Sequence, residues 1–180
     1  MQSEKHSRRK DAWLAFVLVA LAFWTAQANA VCGTGKTGDS LRRSFPGWQV
    51  VMLENLRRDD KRLWEKAHPS DCPGNATGNI QSSTTETTVL TVFKDSNGGL
   101  QQMLLVANMI DGNYKFSELD GPRTVAYLSV ISIARPGKYS LPEKGELKLR
   151  RDSILYEAIE AGSVLYYFDD ERYKSEVLDE

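Results

Sequence analysis

Hydrophobic and polar positions alternate in three different ways along this chain. Residues 12–24 (AWLAFVLVALAFW) form an apolar run without a single charge. Residues 56–67 (LRRDDKRLWEKA) space their apolar side chains at helical intervals, placing Leu56, Leu63, Trp64 and Ala67 on one side. From residue 87 the texture changes to that of strands, and residues 87–94 (TTVLTVFK) alternate with the period of a half-buried strand.

Each pattern predicts an element. Asp59 and Asp60 near the start of 56–67, with Lys66 and His68 near its end, suit a helix dipole, and Pro69 stops it. Residues 87–94 (TTVLTVFK) are β-branched and predict a strand. Ser96-Asn97-Gly98-Gly99 is a hairpin turn, and residues 100–108 return from it. A second turn at 111–113 leads to a strand over 114–119, broken by Pro122. Residues 125–134 (VAYLSVISIA) predict a buried strand that Pro136-Gly137 stops. Residues 146–150, 153–159, 163–168 and 172–178 complete an antiparallel meander. The expectation is an α+β fold of about seven or eight mainly antiparallel strands, with one helix near the start of the domain. A short apolar run at 50–53 follows the turn at Phe45-Pro46-Gly47-Trp48, where order is expected to begin.

The first apolar run belongs to a different kind of segment. Lys5, Arg8, Arg9 and Lys10 precede it, and Ala28-Asn29-Ala30 follows a short polar stretch. Basic, apolar and small-residue regions in that order are what a signal peptidase reads, so residues 1–30 are expected to be a cleavable signal with the cut before Val31. The run is shorter than the ~20 residues of a membrane-spanning helix. Cys32 lacks the preceding small residues of a lipoprotein, and Arg8-Arg9 lacks the apolar residues that follow a twin-arginine pair. The expected location is periplasmic or extracellular, with no stable membrane anchor after cleavage. Residues 31–44 (VCGTGKTGDSLRRS) read as a flexible, extended arm, and 45–180 as a single β-rich domain. The GTGKTGDS stretch lacks the spacing of a phosphate loop and has no strand before it.

Charge narrows the function classes. The whole chain has 23 basic and 24 acidic residues; cleavage would remove four and two of these, leaving 19 against 22 and a formal charge of −3. Nucleic-acid binding, which depends on a basic excess, is disfavoured. Cys32 and Cys72, the only cysteines, both fall in the exported part, where an oxidising compartment favours a disulfide between them.

Candidate chemistry is sparse. His68 is the one histidine after residue 30, and its place at a helix end points to capping rather than general-base catalysis. One histidine and two bridged cysteines do not supply a zinc ligand set, and no cofactor is expected. Glu157 and Glu160 on a strand or its end, and Asp169, Asp170 and Glu171 at a turn, are the carboxylates from which a hydrolase would draw. Tyr156, Tyr166, Tyr167 and Tyr173 are a candidate binding face for a protein or glycan, although strand alternation sends Tyr166 and Tyr167 to opposite sides and packing is the favoured role. Asn75-Ala76-Thr77 is a glycosylation sequon, relevant in a host that glycosylates exports.

Residues 72–93 (CPGNATGNIQSSTTETTVLTVF) resemble the FG-GAP-type repeats of bacterial exported proteins, which read roughly G-D-F-[ND]-G-D-G-x-x-D before an apolar strand and hold calcium. Gly78-Asn79-Ile80 takes the place of G-D-F, and residues 89–92 the strand. Asn79, Ser83 and Thr87 stand where the family places aspartates, and Ser82 and Thr84 where it places glycines. With only Glu86 to supply charge, the resemblance implies the strand scaffold without the calcium site. The rest of the chain resembles uncharacterised bacterial exported proteins of similar length. The expected function is a non-enzymatic binding or inhibitor-like module. The alternatives are an extracytoplasmic hydrolase using carboxylates of the C-terminal meander, and an assembly subunit pairing through a sheet edge.

Overall fold

The computed structural model describes residues 32, 35–142 and 145–178, so the expected signal segment lies outside the described residues. Helix α1 (Lys36–Ser44) comes first, followed by β1 (Gln49–Val50), a 3-10 turn (Leu53–Asn55) and helix α2 (Arg58–Ala67). Then follow β2 (Asn75–Gly78), β3 (Thr87–Ser96), β4 (Gly99–Ile110), β5 (Asn113–Val125), β6 (Val130–Ala134), β7 (Gly137–Leu141), β8 (Gly145–Leu149), β9 (Ser153–Ala158), β10 (Gly162–Asp169) and β11 (Arg172–Leu178). The architecture is the expected α+β, dominated by antiparallel sheet.

One sheet runs β1-β3-β4-β5, with β2 also pairing to β3; a second runs β11-β10-β9-β6; β7 and β8 form a separate hairpin. Residues 72–78 stitch the two large sheets together. The Gly74 carbonyl accepts from Thr91 N of β3 at 3.0 Å, and the Pro73 carbonyl accepts from Ile131 N of β6 at 2.8 Å. The close passage explains the glycine. A Cβ on Gly74 would sit 2.3 Å from the Val51 carbonyl oxygen and 2.7 Å from its nitrogen.

The core follows from strand alternation. On one side of β3 and β4, Leu90, Val92, Met103 and Leu105 pack with Leu41 of α1 and Trp48. On the other side, Val89 and Leu104 meet Ile131, Ile154 and Tyr156 of the second sheet. β3, expected to alternate as a half-buried strand, is instead covered on both faces and buried without a break from Val89 to Phe93. Trp64 of α2 packs with Val51, Phe93, Leu128 and Val130. The outer face of the second sheet, at Leu165, is covered by Tyr139, Leu147 and Leu149 from the β7–β8 hairpin.

Between the two sheets Gln102 of β4 is wholly buried. Its Nε2 donates to Thr91 Oγ1 at 2.7 Å and to the Ser129 carbonyl at 2.7 Å, and its Oε1 accepts from Ser129 N at 2.9 Å. This amide serves Ser129 as a neighbouring strand would, just before β6 begins.

Several elements differ from expectation. Residues 36–44 are helical rather than part of an extended arm. Asp39 sits in the first turn and Arg42 and Arg43 in the last, matching the dipole, while Leu41 is buried. The bridge between Cys32 and Cys72, with Cα atoms 5.4 Å apart, ties this end to the domain. The described residues hold eleven strands, not seven or eight. β5 continues through Pro122 with register irregularities near Leu104, as an edge strand tolerates a proline. The strand expected over 125–134 is confined to Val130–Ala134.

Candidate functional site

Helix α2 delivers its last turn against the start of β10, and the two enclose a pocket of about 160 Å³. Its walls include Leu63, Trp64, Val130 and Ile159, and its polar groups include His68, Glu157, Glu160 and Ser163. Antiparallel register places Glu157 opposite both Val130 and Ser163, so these three project from the same face of the second sheet, towards α2. The tight β9–β10 turn closes with Ala161 N donating to the Ala158 carbonyl at 2.8 Å, and Glu160 occupies it at φ 62°.

Of the four apolar residues expected along the inner side of α2, Leu56 and Trp64 are buried. Leu63 and Ala67 are exposed and form the lip of the pocket. Asp60, buried on the same helix, is held by Arg57 through bonds of 2.6 and 2.7 Å.

His68 is the residue that caps α2, its backbone N donating to the Trp64 carbonyl at 2.7 Å. The ring itself stacks on Trp64 with centroids 4.2 Å apart, and its Nδ1 lies 3.2 Å from Asp71 Oδ2. Trp64 Nε1 donates to the Asp71 carbonyl at 3.3 Å. The imidazole is thus oriented by a carboxylate, which helix-end capping alone does not require.

Glu157 is half-buried. Burial pushes its carboxyl above the usual glutamate range, while the nearby His68 and the Ser132 hydroxyl act in the opposite direction. Ser132 Oγ donates to Glu157 Oε2 at 3.5 Å. Among the described residues no lysine or arginine lines this pocket, and none forms an ion pair with Glu157 or Glu160.

The other acidic group lies elsewhere. Asp169 and Asp170 are at the far end of β10, both paired to Lys174, the latter at 2.9 Å. Lys174 hydrogen bonding holds Asp169 below its ordinary range. Ser163 and Asp169 are six positions apart on β10, about 20 Å at the rise of a strand, so the two acidic groups do not face each other across one cleft.

The four tyrosines do not form one exposed face. Tyr156 is buried between the sheets, and Tyr166 and Tyr173 pack against the same cluster. Tyr167 points the opposite way, with Leu155 and Leu165. Tyr156 and Tyr166 meet edge-on at 6.3 Å, and Arg123 lies 5.2 Å over the Tyr156 ring. Burial pushes Tyr166 and Tyr173 up to about 12. Asn75 of the sequon lies in β2, paired with Leu90, and its Oδ1 is buried without a partner.

Further hollows lie among the described residues. One of 340 Å³ is lined by Lys148, Arg150, Arg151, Asp152 and Asp169. Asp152 is already satisfied there by Arg135 at 3.2 Å and by Asn79 N at 2.9 Å. Another, of 460 Å³, lies under α1 beside Cys32, Leu41 and Trp48. Among the described residues no group of three or more His, Cys, Asp or Glu is placed to hold a metal ion, and no helix is long and apolar enough to cross a membrane.

Comparison of the chain with protein-family models, with curated proteins and with solved structures finds no match.

Proposed function

We propose that this chain is an exported binding module of non-enzymatic function, active in the periplasm or outside the cell, and that the pocket between α2 and the β9–β10 turn anchors a protein partner. The observation that carries the reading is an apolar-walled hollow of about 160 Å³ with Leu63 exposed at its lip. Cofactor and small-molecule sites commonly span about 300–1,000 Å³. This one suits a single inserted side chain, the geometry of an interface anchor. The disulfide between Cys32 and Cys72 supports an oxidising location.

Affinity capture from the native exported fraction tests the reading. Leu63→Asp should lose the partner held by the wild type, while Val177→Asp, at another exposed apolar position, should keep it. A partner held equally by both variants, or none held by the wild type, would overturn it.

A hydrolytic reading draws on one specific observation, the raised carboxyl of Glu157 beside an Asp71-oriented imidazole. Turnover abolished by both Glu157→Gln and His68→Gln, on any ester or glycoside panel, would favour it. The assembly reading rests on the outer edge of β5, but Pro122 and the irregular register there are devices that oppose edge pairing.

A further inference from the structure

We infer that the pocket between α2 and the β9–β10 turn receives the side chain of a lysine on the protein partner, its ammonium group seated on Glu157. The inference rests on the anchoring role proposed for this pocket and adds the chemistry of the occupant.

Charge balance is the first argument. Glu157 is half-buried in the lining that Trp64 and Val130 share, and among the described residues that lining supplies a second carboxylate, Glu160, but no lysine or arginine. Its one described hydrogen bond is the 3.5 Å contact from Ser132. A carboxylate withdrawn from water is costly unless an opposite charge meets it. Elsewhere in this molecule the withdrawn carboxylates have such a partner: Asp60 has Arg57 and Asp152 has Arg135. Among the described residues the one positive group near Glu157 is His68, whose ring already faces Asp71, so a permanent cation of the kind Arg57 and Arg135 supply elsewhere is what a ligand has to bring.

Shape is the second. Leu63 and Ile159 offer apolar surface for an aliphatic stem, and the charged end, instead of returning to water, meets Glu157 and Glu160 in the same lining. The hollow of about 160 Å³ leaves space for one such chain.

Hydrogen-bond capacity selects lysine over arginine. A guanidinium binds carboxylate best through a fork that uses both oxygens. The planar guanidinium is also the bulkier head, and a hollow of about 160 Å³ with two separate carboxylates, Glu157 and Glu160, suits a compact donor with rotatable protons. A compact ammonium needs only one carboxylate oxygen and directs its other protons to Glu160 or water.

The test is an NMR titration of the purified, disulfide-bonded protein with three probes: the Nα-acetyl N-methylamides of lysine, norleucine and arginine. The lysine probe should give saturable shifts at Trp64 Nε1, Ile159 and Ser163. Its affinity should exceed that of norleucine and arginine by about tenfold, and Glu157→Gln should remove that preference. Norleucine binding as tightly as lysine at the same residues would overturn the charge assignment while leaving the pocket as a binding site. Arginine binding as tightly would overturn the choice of ammonium. Absence of shifts with all three probes would overturn the lysine assignment; loss of the protein partner on Leu63→Asp would separately preserve the anchoring role.

Discussion

Replacing Gln102 with leucine should destabilise the domain by about 3 kcal/mol, although leucine matches the side chain in size and is more apolar. The substitution removes three short hydrogen bonds in a place where Gln102 and Thr91 are fully buried and Ser129 is 5% exposed. Both backbone groups of Ser129 lose their partner, and each buried orphan costs about 1–3 kcal/mol. The Thr91 hydroxyl retains the option of turning to a local carbonyl. Greater apolar burial by leucine offsets about 1 kcal/mol of the loss. For a domain of this size the melting temperature should fall by roughly 10 °C. Urea unfolding measures the free energy, and hydrogen exchange at the Ser129 amide tests the site itself, which should exchange faster in the variant. Adding Thr91→Val to Gln102→Leu should cost less than Thr91→Val alone, because it removes a hydroxyl already without its partner. A loss below about 1 kcal/mol, or unchanged Ser129 exchange, would refute the claim that this amide is what satisfies the chain entering β6.

Other perturbations test different parts of the fold. Serine at both Cys32 and Cys72 removes a bridge spanning 40 residues and should cost about 4 kcal/mol in the chain-entropy picture, read from urea midpoints; less than about 1 kcal/mol would contradict it. Gly74→Ala should cost about 3 kcal/mol or more by calorimetry, because its methyl meets Val51 backbone, whereas Gly98→Ala enters open space and should be nearly silent; equal effects would count against the close passage. Glu157 holds its proton to higher pH when folded than unfolded, so its contribution to stability falls as pH rises from the ordinary glutamate range through the raised folded value. Glu157→Gln should therefore be more stable than wild type at neutral pH, with the gain closing in acid. A gain that instead grows on acidification would show the opposite sign.

The strands over 87–108 and 153–178 were legible because their apolar positions meet neighbours close in sequence, through tight turns at Ser96–Gly99 and Asp169–Arg172. Helix α1 was not. Its buried positions are Gly38 and Leu41, too few to make a periodic pattern, and its place depends on distant contacts with Trp48, Met103 and Leu105. β2 was missed for a related reason: Asn75, Ala76, Thr77 and Gly78 have no strand-like composition, and backbone pairing to β3 defines them. The pocket was visible only as fragments. His68 and Glu157 were each identifiable as titratable groups, but their proximity depends on α2 crossing the face of β6 and β9 that carries Val130. Leu63 carried a helical-period signal that reads as core; only packing reveals that this position rims a hollow. The favoured packing role of the tyrosines was legible in strand alternation, which separates Tyr166 from Tyr167, and Tyr156 is buried between the sheets.

The short ribbon from Cys72 to Gly78 has a consequence for how the molecule comes apart. Its carbonyls accept hydrogen bonds from β3 on one side and β6 on the other, while its first residue is covalently fastened to Cys32. Neither sheet can peel away without breaking its own hydrogen bonds to this common strip. Loss of structure should spread through both at once, and partial melting that frees one sheet for association with another chain is thereby suppressed.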